Sequence, residues 1–204
     1  LIHLELQKAP GLGTCGTDGR TLYYDPAQIE KWTLNEVMAV VAHEGGHCAF
    51  GHIGRRGNRE KERWNVATDM AINDILRDEY LTLPKGALFP PDNLKGASSE
   101  ELYAKLPKKT NGQTVDDHSK WGDGEGNDQL EREWREHVAG AAQVARAYGN
   151  LPASLESLVG TLLRPRVDWR DLLRDYVQSS VKNDYRMTPP NKRYLHLPIY
   201  LPSL

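Results

Sequence analysis

The sequence predicts an α+β domain, a small sheet followed by a mainly helical body. Three observations carry that reading. Residues 1–7, Leu-Ile-His-Leu-Glu-Leu-Gln, nearly alternate in polarity, and Thr21-Leu22-Tyr23-Tyr24 is a second run of strand formers, closed by Asp25-Pro26. Thr33 followed three residues later by Glu36 is a capping box that opens a long helix at Leu34. Three more helical patterns fill the C-terminal half: Gln129 to Tyr148, stopped by Gly149; Pro152 to Leu163; and Trp169 to about Lys182, capped by Asp168.

In chain order, Ala9 to Gly19 reads as a Gly/Thr loop between the two strands. The helix from Leu34 to about Phe50 repeats Leu34, Val37, Met38, Val41, Gly45 and Cys48 at helical spacing, which predicts that this apolar stripe faces the core. Gly51, Gly54 and Gly57 break the chain before a second helix, about Glu60 to Arg77, with Trp64, Ala67, Ala71 and Ile75 on one side. Residues 84–127 are rich in Pro, Gly, Lys and Asp and read as a lid over a site or a partly disordered stretch, with one short helix opened by the Ser98/Glu101 capping box. The tail from Pro189 to Pro202 reads as extended. The chain is thus read as one domain, 1–204, in three parts: sheet and first helices (1–83), irregular segment (84–128), helical part and tail (129–204).

Composition narrows the partners. With 204 residues and 39% apolar content the chain is long enough for a real core, and no apolar run approaches the ~18 residues of a membrane helix. A net charge of −2 gives no reason to expect nucleic acid, and Arg55-Arg56-Gly57-Asn58-Arg59 reads as a solvated loop. Cys15 and Cys48 make no disulfide framework. With no signal peptide visible the default expectation is the cytoplasm, and since the sequence opens with Leu1 rather than Met, a preceding segment would change that expectation.

The chemistry concentrates at His43-Glu44-Gly45-Gly46-His47. Two imidazoles four residues apart on a helix point the same way and grip one zinc ion, while the intervening glutamate lies about 100° round, beside the metal, placed to take a proton from water. Two glycines inside a helix each cost about 1 kcal/mol relative to alanine. Gly45, on the apolar stripe, is read as admitting a neighbouring backbone; Gly46 has no reason visible in the pattern.

A catalytic zinc takes three protein ligands and one water. His52 lies nine residues after His43, about 180° round the helix, and is read as a residue beside the shell or at the helix end. Asp69 is the better third ligand. Asn65, Asp69 and Asn73 share a face of the second helix, which resembles thermolysin-like gluzincins, where a downstream helix supplies an acidic ligand and a polar residue one turn later steadies the shell. His118, in Asp116-Asp117-His118-Ser119-Lys120-Trp121, has three readings: stabiliser of an oxyanion, completion of the shell should Asp69 not serve, or a surface histidine.

Thr17–Tyr24, His43–His52, Trp64–Asn73, Asp116–Trp121 and Asp184–Tyr194 together resemble the bacterial and phage metallopeptidase domain that precedes a von Willebrand A-like domain. The resemblance implies a zincin-like fold, zinc-dependent peptidase activity on a peptide or protein substrate, and a von Willebrand A-like domain and an AAA+ ATPase as partners. It places His43, Glu44, His47 and Asp69 on the family's site and His118 on its Asp-x-His-like motif. Leu204 falls about where the von Willebrand A-like domain would begin.

The resulting expectation is peptide hydrolysis with one zinc ion on His43, His47 and Asp69, Glu44 as general base and acid, and His118 at the oxyanion. Two rivals stand beside it: a zinc-stabilised interaction module, and hydrolysis of a non-peptide amide. Cys15, in Gly13-Thr14-Cys15-Gly16-Thr17, carries a separate expectation, a thiolate folding over the cleft to cap the zinc, against the plainer reading of a buried thiol.

Overall fold

A computed structural model describes residues 3–107, 116–121, 128–151, 153–164, 173–178, 186–190 and 202–203. The fold is α+β, and the chain forms two compact units, Leu1–Leu163 and Arg164–Leu204. In the first, β1 (Glu5–Lys8), β2 (Cys15–Thr17) and β3 (Thr21–Tyr24) precede α1 (Pro26–Ile29), α2 (Leu34–Ala49), α3 (His52–Arg55) and α4 (Lys61–Asp78). Then come α5 (Ser99–Lys105), a 3-10 turn at Ser119–Trp121, α6 (Asp128–Ala147) and α7 (Ala153–Leu162). In the second unit, 173–178 are helical, within the helix expected from Trp169 to Lys182, whose remainder lies outside the described residues. There β4 (Arg186–Pro190) pairs antiparallel with β5 (Pro202–Ser203).

The sheet runs β1-β3-β2, with β1 parallel and β2 antiparallel to β3. Strand β2 lies inside the stretch expected to be a loop. Its signal was Asp18-Gly19 between Cys15–Thr17 and Thr21–Tyr24: Gly19 takes a positive φ of 92°, and Asp18 Oδ1 accepts the N–H groups of Arg20 and Thr21 at 2.8 and 2.7 Å. Leu4, Leu22, Cys48 and Trp134 form an apolar cluster joining sheet, α2 and α6, and Trp134 Nε1 donates to the Gly19 carbonyl at 2.8 Å.

Both capping boxes form as read, Thr33 with Glu36 on α2 and Ser98 with Glu101 on α5. The orientation of α2 corrects the sequence reading. Leu34 and Met38, assigned to the core face, are 74% and 52% exposed, whereas the buried residues are Ala39, Val40, His43, Glu44, His47 and Cys48. The histidine face points inward, against α4. The glycine assignment reverses too. A side chain at Gly45 would meet nothing, but a Cβ at Gly46 would come within 3.2–3.4 Å of the Ile72 side chain on α4. Gly46 is what lets the two helices close.

Candidate metal centre

Four side chains from three parts of the chain converge. His43 and His47 project from α2, Asp69 from α4, and Asp116 from the segment before the 3-10 turn, with one ligand atom of each lying within 4.8 Å of all the others. The two Nε2 atoms stand 2.9 Å apart. Asp69 Oδ1 is 3.8 Å from His43 Nε2 and 3.4 Å from His47 Nε2, and Asp116 Oδ2 is 3.4 Å from each. A tetrahedral zinc shell with bonds of ~2.0–2.1 Å has edges of about 3.3 Å, so the donor spacing fits such an ion. Asp69 Oδ1 is buried without a hydrogen-bond partner, an acceptor that a cation would satisfy. His118 joins the cluster, its Nε2 3.1 Å from Asp69 Oδ1 and 2.9 Å from Asp116 Oδ2.

Behind the ligands, hydrogen bonds fix their rings. Asn73, one turn after Asp69, accepts from His43 Nδ1 at 2.9 Å, and its own amide is oriented by donating to the Leu88 carbonyl at 2.9 Å. This is the steadying role expected of Asn73, and it leaves His43 Nε2 free for metal. His52 is not a ligand in this arrangement; its Nδ1 sits 3.2 Å from His47 Nδ1.

The 116–118 segment is held by β2. Asp117 N–H donates to the Cys15 carbonyl at 2.8 Å, and a Cβ at Gly16 would collide with the Asp117 carbonyl oxygen. The Gly-Thr-Cys-Gly-Thr stretch therefore positions Asp116 and His118 through its backbone. The Cys15 thiol is fully buried, does not belong to the metal-binding group among the described residues, and is pushed up to about 12 by burial and by the carboxylates of Glu44 and Asp116. Buried and outside the metal-binding group, Cys15 fits the plainer reading of a buried thiol.

A family profile described as "Putative metallopeptidase domain" matches residues 1–126 and 111–204. The chain belongs to that family. It is also similar to a protein of Thermotoga maritima described as "Uncharacterized protein", 29% identical over 221 residues, covering 90% of this chain and 55% of the relative. The chain spans about half the length of that curated relative. No solved structure matches it at a significant level.

In this metallopeptidase-family domain the electrostatics of the buried cluster follow from crowding charges away from water. Burial pushes Glu44 up to about 8, helped by the Asp116 charge, so its carboxyl is poised to hold or release a proton near neutrality. Burial lowers His43, but the Asp116 and Asp69 charges outweigh it and hold the imidazole up at about 9. The same balance raises His118 well above the ordinary histidine range, and His118 and His43 draw Asp116 well below that of a carboxylate. His52 is pushed well below its usual value by burial and by His47, and so is neutral and able to accept a hydrogen bond.

Of the residues selected from the sequence, the structure brings His43, His47 and Asp69 into one candidate metal-binding group, with His118 Nε2 beside its carboxylates. It buries Glu44 within reach of their charges and leaves Cys15 out of the group. Asp116, which the structure adds to that group, was not among the selected residues. Its signal was present in Asp116-Asp117-His118, since a spacing of two in extended chain puts both side chains on one side.

Among the described residues no helix is long and apolar enough to cross a membrane.

Proposed function

We propose that this domain is a zincin-like zinc metallopeptidase in which His43, His47 and Asp69 hold one ion and Glu44 is the general base. The observation that carries this reading is Glu44 itself. Its carboxyl is 1% exposed, its Oε1 has no hydrogen-bond partner among the described residues, and it lies within reach of the Asp116, His43 and Asp69 charges. A buried carboxylate oxygen left unpaired costs about 1–3 kcal/mol or more, a cost that is repaid when a water stands beside it. Zinc, when bound, supplies Lewis acidity that polarises the substrate carbonyl and acidifies the attacking water. Glu44 takes the proton of that water and hands it to the leaving amine. In this reading Asp116, 2.9 Å from His118 Nε2, pairs with His118 and the fourth position is kept for water. His118 Nδ1, buried without a hydrogen-bond partner among the described residues, is the group that in this reading steadies the oxyanion. The substrate class is peptide, and a von Willebrand A-like domain and an AAA+ ATPase are the proposed partners, both through the family resemblance. A cytoplasmic site of action belongs to the same proposal.

A second reading rests on the four-donor group. With Asp116 in the shell, zinc would be closed off and structural, and the domain would be an interaction module. One experiment separates the two. The zinc-loaded chain is incubated with a random peptide library, and products are read by mass spectrometry. We expect cleavage that a chelator abolishes, and that Glu44→Gln reduces by about 10²-fold or more with one zinc retained. Cleavage undiminished in Glu44→Gln contradicts the mechanism. A zinc-loaded wild type that cleaves nothing while losing stability on chelation supports the structural reading.

A further inference from the structure

We infer that His52 and Ser99 are positioning residues of the metal centre, forming a buried relay that fixes the ring of His47. The inference rests on the zinc reading of the cluster, but it concerns residues outside the ligand set.

His47 is completely buried, and its Nε2 faces the other ligand atoms, so its proton belongs on Nδ1. That nitrogen lies 3.2 Å from His52 Nδ1, which must accept. His52 then carries its own proton on Nε2 and donates it to Ser99 Oγ at 3.0 Å. Each ring is left with one consistent tautomer. His52 and Ser99 are 2% and 3% exposed, so no solvent competes for these bonds. Trp64 Nε1 pins the His52 main chain by donating to its carbonyl at 3.0 Å.

The far end is equally fixed. Ser99 is the first residue of α5, next to the capping box that sets the start of that helix. Arg55 Nε, on the same short helix as His52, donates to Glu100 Oε1 at 3.1 Å, so α3 and α5 are joined beside the relay. His43 is steadied from α4 through Asn73, whereas His47 is steadied from α5 through His52. The two ligands of one helix therefore depend on different elements. A shift of α5 would reach His47 through Ser99 and His52.

The test measures zinc affinity of the full chain by chelator competition, with the visible spectrum of the cobalt-substituted protein as a second readout. His52→Phe keeps a ring but removes the acceptor, and zinc affinity should fall about 10–100-fold with an altered cobalt spectrum. His52→Asn offers an amide oxygen near the Nδ1 position and should restore affinity to within about threefold. Ser99→Ala, a mild change at a helix start, should weaken binding several-fold on its own and add nothing in the His52→Phe background, because it acts through His52. If His52→Phe does not fold, Ser99→Ala and His52→Asn still decide the matter: zinc affinity unchanged in Ser99→Ala, or lost in His52→Asn, overturns the relay. Wild type that binds zinc, with all variants equal to it, removes the relay and leaves the metal centre standing. Wild type that binds no zinc overturns the metal reading and the relay together.

Discussion

His43 bears a proton that the metal must displace. Buried among the carboxylates of Asp116 and Asp69, its imidazole stays protonated up to about pH 9 in the metal-free protein. Nε2 binds a cation only after that proton has left, so protons compete with zinc at every pH below that value. Zinc affinity should therefore rise from pH 6 to about 9, by roughly tenfold per unit for each proton released, and level off above. Calorimetry in buffers of different ionisation enthalpy counts the protons directly. Affinity independent of pH across this window would show that His43 is not a ligand. The residue scale also holds the clearest reversal, at Gly46. Hydropathy periodicity assigned a role to Gly45 and none to its neighbour, yet Gly46 is the one beneath Ile72. Periodicity locates apolar side chains; it does not register a missing one.

At the scale of elements, caps and turns were legible because their determinants are local. Thr33 and Glu36, or Ser98 and Glu101, form their boxes within one turn. The face that α2 buries was not legible. A stripe rule sends Leu34 and Met38 inward, but His43, Glu44 and His47 lie in the interior instead, where Asn73 partners His43 and His52 partners His47. Strand β2 escaped notice because three residues give too short an alternation. It matters for function, since its main chain carries the Asp116–His118 segment. Gly16→Ala should therefore cost about 1–3 kcal/mol by overpacking or push that segment outward. Either way zinc affinity falls, while α2 keeps its helicity. Circular dichroism with zinc titration checks this, and affinity equal to wild type would show that β2 does not hold the segment.

Over the whole molecule, the candidate site was legible where it rests on one helix and less so where it is assembled from distant segments. His43, Glu44 and His47 follow from a helical spacing; Asp69 follows from a polar face on the next helix. Asp116 and Ser99 reach the site only through the way β2, α4 and α5 are brought together, and beyond the Asp116/His118 spacing no local pattern encodes that. The central claim is that His43, His47 and Asp69 share one zinc ion. Anomalous diffraction at the zinc edge from crystals of the zinc-loaded chain tests it most directly. The account predicts one peak per chain, about 2.0–2.2 Å from His43 Nε2, His47 Nε2 and an Asp69 carboxylate oxygen. No peak there, or a peak bound through His52 or His118 with Asp69 out of reach, would contradict it.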